Sequence, residues 1–158
     1  MAVITLLFTG CQKNTKITPK SVFEADFTLL YNEMQIKGEL SVKEDELVEI
    51  KVNSPDALKN LKVSANGGNF SVDYNGIKVS YNENDLPDTA FFKLLSLSLK
   101  NILKAQELEF EKVDEKYKAT VSSSLGEIKI TLNKDFYIEN LQIPSHGFNL
   151  KLQVKTPS

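Results

Sequence analysis

Between Val22 and Val154 apolar side chains recur at every second position, block after block. No other feature of the chain constrains its fold as much. Alternation with a period of two puts successive side chains on opposite faces of an extended strand, so each block predicts a strand with one buried face. Phe23, Ala25, Phe27, Leu29 and Tyr31 share one face, with Glu24, Asp26 and Thr28 on the other. Met34, Ile36, Gly38, Leu40 and Val42 repeat the pattern, Glu44-Asp45-Glu46 makes a polar turn, and Val48, Ile50 and Val52 form a third strand. Ser54-Pro55-Asp56-Ala57-Leu58 interrupts the series, because Pro55 cannot donate to a ladder and favours a turn or helix start. Leu61 to Ala65, then Phe70, Val72 and Tyr74, resume it, and Asn75-Gly76 is a strong hairpin signal before Ile77, Val79 and Tyr81. Five further runs follow, centred on Leu108, Ala119, Ile130, Leu141 and Leu150. The total is about eleven strands, at the spacing of antiparallel hairpins.

One segment breaks the period. From Asp88 to Ala105, the residues Phe92, Leu95, Leu99, Ile102 and Leu103 follow the three-to-four spacing of a helix face. Leu94 and Leu97 widen that stripe, which predicts a buried helix, and Asp85 and Pro87 are placed to cap its start and fill its first turn. Eleven strands at about 4.8 Å make a sheet roughly 50 Å wide. A helix of about seventeen residues is about 25 Å long and about 10–12 Å across. Such a rod cannot cover the apolar face of such a sheet. Either the sheet curls into a half-pipe with the helix in its mouth, leaving an apolar groove, or it folds into a sandwich that leaves none. The expected fold is mainly β, of the α+β class: a strongly curved antiparallel half-barrel of about eleven strands with one main helix inserted mid-chain in its mouth. Phe91, Phe92, Leu95, Leu99 and Ile102 are the candidates to line the groove. For the two phenylalanines, packing against the sheet is the competing role.

The first twenty residues read differently. Ala2 to Thr9 is an apolar run too short to span a bilayer, which takes roughly 20 residues, but long enough for the apolar core of a signal peptide. Leu7-Phe8-Thr9-Gly10-Cys11 resembles the bacterial lipobox, in which a small residue precedes a cysteine that receives a diacylglyceryl group. Phe8 stands where that motif usually has Leu, and no Lys or Arg precedes the apolar run. The alternative is a first β-strand with a buried cysteine. Gln12 to Lys20 is polar and carries three lysines, as a tether would. The expected organisation is a lipoprotein signal peptide over 1–10, a lipidated Cys11 and polar tether over 11–20, and a β domain over 21–158. Two acyl chains on Cys11 would anchor the protein to the extracytoplasmic face of the cell membrane.

Composition excludes several classes of function. With 158 residues, 41% hydrophobic and 25% charged, the chain suits one globular domain. A net charge of −2 with interspersed signs supplies no basic stripe, so no nucleic acid partner is expected. All 19 cationic residues are Lys, so no planar guanidinium is present to grip carboxylates or phosphates. One Cys and one His, His146, are too few for most catalytic metal sites, and no cofactor or metal is expected. No Gly-rich phosphate loop and no serine nucleophile elbow occurs. Asn82-Glu83-Asn84-Asp85 lacks the Gly and closing Glu of a calcium loop and reads as a solvated turn. Glu107, Glu109 and Glu111 read as a solvated strand face and His146 as a turn residue. No catalytic residue can be named.

The order of about six strands, a helix and about five strands behind a lipobox resembles the LolA-like fold, which includes periplasmic lipoprotein carriers and lipid-binding mycobacterial lipoproteins. The resemblance runs from Val22 to Val154. It is carried by Phe23-Glu24-Ala25-Asp26-Phe27, Lys37-Gly38-Glu39-Leu40, Ser54-Pro55-Asp56-Ala57-Leu58, Tyr74-Asn75-Gly76-Ile77 and Asp85-Leu86-Pro87. The periplasmic carriers have no lipid anchor and begin with a helix, and the Arg central to their lipoprotein transfer has no counterpart here. The resemblance therefore implies an anchored relative that binds a lipid or acyl chain, without catalysis. A protein-interaction module of the cell envelope, with no small ligand and an unidentified partner, is the alternative. An enzyme ranks third.

Overall fold

The structure, a computed structural model, describes residues 14–105 and 107–155. Twelve strands form one antiparallel sheet: β1 (Asn14–Ile17), β2 (Phe23–Tyr31), β3 (Met34–Val42), β4 (Val48–Ser54), β5 (Lys62–Asn66), β6 (Asn69–Tyr74), β7 (Ile77–Asn82), β8 (Leu108–Val113), β9 (Lys116–Ser123), β10 (Gly126–Leu132), β11 (Ile138–Ile143) and β12 (Phe148–Val154). Their spatial order is β1-β8-β9-β10-β11-β12-β2-β3-β4-β5-β6-β7. Two meanders, β2 to β7 and β8 to β12, therefore join at the centre, where β12 pairs with β2 from Phe148–Tyr31 to Val154–Ala25. The helix α1 (Phe91–Lys104) links the outer strand of the first meander to the first strand of the second.

The alternation expected from the sequence is what the sheet displays. Phe27, Leu29, Ile36, Ile50, Val63, Ile130, Leu141 and Leu150 are buried on one face, and they share a single apolar cluster with Leu94, Leu95, Leu99 and Ile102 of α1. A helix of 14 residues is about 21 Å long, whereas twelve strands span roughly 58 Å. One apolar cluster that joins this helix to strands from β8 to β6 requires the sheet to curl around it. The half-pipe, rather than the sandwich, is the solution this chain adopts.

Three local features depart from the expectations. The twelfth strand, β1, falls inside the segment read as a tether: it pairs with β8 from Asn14–Glu111 to Ile17–Leu108 and buries Ile17. Its pairing draws on backbone groups and the Lys16–Glu107 ion pair (3.2 Å), neither of which leaves an alternating pattern. The helix starts at Phe91 rather than Asp88, with Ala90 at its N-cap and no side chain capping it. Asp85 instead completes a capping box with Asn82 around a 3-10 turn over Glu83–Asp85. Elsewhere the turn chemistry is as expected. Asn75 and Gly76 take φ of 53° and 85°, the left-handed pair that a two-residue hairpin between β6 and β7 requires. Cys11 and the expected signal peptide lie outside the described residues.

Candidate functional site

The helix is fastened unequally at its two ends. Near its start the Tyr31 hydroxyl donates to the Thr89 carbonyl at 2.6 Å. Lys93, only 7% exposed, donates from Nζ to the Leu86 carbonyl at 3.0 Å and to Asp88 Oδ1 at 2.8 Å. That bond holds the Asp88 carboxyl below its ordinary range. A lysine in the first turn of a helix opposes the macrodipole, and Asp88 offsets it. At the other end, among the described residues, Lys104 forms an ion pair with Glu46 at 3.0 Å, with both side chains about half exposed. An exposed pair of this kind contributes about 0–1 kcal/mol.

Beneath that weakly held end lies a cavity of about 230 Å³. Its walls include Val42 and Val48 from the β3–β4 hairpin, Ala65 and Phe70 from β5 and β6, and Leu97, Leu99 and Leu103 from α1. Its mouth carries Lys43, Glu44, Glu46, Glu83, Lys100 and Lys104. Ser21, Asn66 and Ser96 also line the cavity, so its surface is mixed, and with charges of both signs at the rim it suits a ligand with an apolar body and a polar end. Wider depressions elsewhere lie on the outer, polar face of the sheet, for example among Lys116, Lys118, Thr131 and Glu139.

The expected groove residues are distributed as follows. Leu95, Leu99 and Ile102 have no exposed surface, Phe91 is 8% exposed and Phe92 is half-buried. Phe92 stacks at a tilt on Phe70 (5.9 Å) and edge-on against Phe91 (5.5 Å). Of the five, Leu99 alone borders the cavity. The wall residues that sequence reasoning did not select are Leu97 and Leu103 on the helix and all of those from the strands. The width of the helical stripe at Leu97 was the available signal for the former.

Other residues noted in the sequence have ordinary surroundings. His146 ends a 3-10 turn over Pro144–His146, with its Nδ1 3.0 Å from Ser145 Oγ. Among the described residues no group of His, Cys, Asp and Glu could hold a metal ion, and no helix is long and apolar enough to cross a membrane.

The molecule is thus defined by an open, curled antiparallel sheet with one helix across its apolar face and a small cavity under the end of that helix. No protein-family model matches the chain and no curated protein matches it. Among solved structures it is similar to a LolA superfamily protein from Nitrosomonas europaea, at 9% sequence identity and a TM-score of 0.34. The match covers 83% of this chain and 64% of that one, so this chain spans less than two-thirds of its length. At that distance the likeness carries no argument about function.

Proposed function

We propose that this protein is a membrane-anchored extracytoplasmic lipoprotein, modified on Cys11, whose β domain holds an acyl chain or a comparable hydrophobic ligand without catalysing a reaction. The observation behind the ligand is the cavity closed by the loosely tied end of α1. At roughly 30 Å³ per water-sized group, about 230 Å³ accepts roughly eight methylenes. This fits the end of one chain. A two-chain lipid would require the Lys104 end of the helix to lift. The anchor rests on the position of Cys11 after an apolar run.

Two measurements test the two halves separately. The full chain, produced in a bacterium that lipidates secreted proteins, is extracted under native conditions and its lipids are weighed by mass spectrometry; uptake of a fluorescent fatty acid is then measured. Ala65→Leu, which adds roughly 90 Å³ to the cavity floor at about 30 Å³ per carbon, should abolish uptake while the fold persists. No co-purifying lipid and no uptake by the unaltered protein would remove the ligand. Cys11→Ser should release the protein to the soluble fraction, and unchanged membrane association would remove the anchor. A second reading, a protein-binding module with no small ligand, is favoured by the exposed apolar residues of β7.

A further inference from the structure

Half of the large apolar side chains exposed among the described residues sit in one hairpin: of eight, four are Tyr74 (39%), Ile77 (71%), Val79 (43%) and Tyr81 (38%). In the register of β6 and β7, Phe70 opposes Tyr81, Val72 opposes Val79 and Tyr74 opposes Ile77. Opposed residues share a face. Phe70 packs against Phe92 of α1, so Ile77, Val79 and Tyr81 lie on the inner face, beyond the reach of the helix. They also lie on an edge strand.

The backbone of that edge has a definite pattern. The two-residue turn at Asn75-Gly76 makes Tyr74 and Ile77 a mutually bonded pair. Ile77, Val79 and Tyr81 therefore turn their N–H and C=O groups toward β6, and the Glu83 N–H continues the series by donating to the Gly68 carbonyl at 2.8 Å. Lys78, Ser80 and Asn82 turn theirs outward. Asn82 has its N–H occupied by Asp85 Oδ2 at 3.2 Å. Among the described residues, the outward amides left are those of Lys78 and Ser80.

We propose that two copies of this chain pair through β7, antiparallel, with Val79 opposite Val79 of the second copy. In this register each Lys78 meets the other copy's Ser80, and the four outward N–H and C=O pairs are satisfied reciprocally. Ile77 meets Tyr81 of the second copy on the inner face, so all three apolar residues gain a cross-strand neighbour. Sliding one pair toward Ile77 sets Lys78 against Lys78, a like-charge opposition that is destabilising. Sliding one pair toward Asn82 calls on the amide that Asp85 already holds. The strand is self-complementary in one register, and a second copy is the partner it fits. This pairing is independent of the cavity.

Val79 in that arrangement is a non-bonded pair, with Cα atoms about 4.5 Å apart, which is within disulfide reach. The full chain carrying Cys11→Ser and Val79→Cys should form a covalent dimer under mild oxidation. Ile77→Cys and Tyr81→Cys should cross-link when mixed and not when each is alone. Sedimentation velocity from micromolar to millimolar concentration should show a dimer that grows with concentration. Ser80→Pro, which removes an outward N–H and no bond within the chain, should abolish it without changing the melting temperature. A monomer at every concentration, with Val79→Cys cross-linking no faster than the exposed Lys129→Cys, overturns the proposal. So does a dimer that survives Ser80→Pro, or protection of the β7 amides from exchange that requires added phospholipid vesicles or a foreign peptide.

Discussion

Leu95 and Leu99 are one helical turn apart on α1 and neither has exposed surface, but only Leu99 borders the cavity. Truncating either to Ala removes three carbons, about 2.4 kcal/mol of transfer free energy at about 0.8 kcal/mol per methylene. Where the surroundings are packed on all sides, the void left behind adds to this and the total reaches about 3–5 kcal/mol. Leu95 meets that condition. Leu99 is equally buried but lies in the cavity wall, so the space opened by its truncation merges with the cavity instead of forming a sealed void, and the expected cost is about 2–3 kcal/mol. Urea unfolding should therefore give a midpoint for Leu95→Ala below that for Leu99→Ala, with the slope unchanged in both. Leu99→Ala should also take up a longer acyl chain than the unaltered protein, and ligand should raise its midpoint more. Equal losses at the two positions, or a larger loss at Leu99, would refute the premise that open space adjoins Leu99 and not Leu95.

Three further outcomes follow from local geometry. A Cβ added at Gly38 would lie 2.0 Å from the Lys51 carbonyl oxygen and 2.9 Å from Phe27 Cε1, beside a register shift between β3 and β4. Gly38→Ala should thus lower stability by at least about 1–3 kcal/mol, and a melting temperature equal to that of the unaltered protein would contradict it. Tyr31→Phe deletes the bond to the Thr89 carbonyl. It should cost about 0.5–1.5 kcal/mol and speed amide exchange between Leu86 and Ala90; unchanged exchange would argue against this tie. Because the hydrogen bond from Lys93 lowers the Asp88 pKa below 3.8, the advantage over Asp88→Asn should be full above that pH and vanish as pH falls through the lowered pKa. Asp88 is solvent-exposed, so the gap is small, and a gap that widened on acidification would refute the assignment.

Most of the fold was legible in the sequence because a half-buried antiparallel strand has to alternate. Every strand of the two meanders was visible for that reason, from Phe23 to Val154. The helix was visible because Leu95, Leu99 and Ile102 depart from that period together. What escaped were elements that do not bury an alternating face. β1 contributes one buried residue, Ile17, to the apolar cluster and pairs mainly through its backbone, so a short, mostly exposed strand looked like a linker. The start of α1 was misplaced for a related reason. Asp85 and Pro87 are good helix-start residues, but Asp85 caps a 3-10 turn and Pro87 to Ala90 carry the chain across to the Tyr31 end of the sheet. Both states offer the same local chemistry, and only tertiary packing chooses between them.

The site was less legible because a cavity is a difference between two surfaces. Comparing sheet width with helix size correctly implied too little cover, but it could not say where the shortfall would fall. Two things decide that. The first is side-chain volume on the strands facing α1. Aromatic contacts of Phe91, Phe92 and Phe70 fill the space at the start of the helix, while the cavity under its later turns is floored partly by Val42, Val48 and Ala65. The second is strand order. β6 and β7 sit at one end of the sheet, so the residual uncovered apolar surface collects on Val79 and its neighbours rather than behind the helix. The shortfall is thereby divided into a cavity of about 230 Å³ under the helix and an open part on a strand edge. Neither follows from periodicity, since Ala65 and Ile77 occupy equivalent places in the alternating pattern and differ only in what the fold sets opposite them.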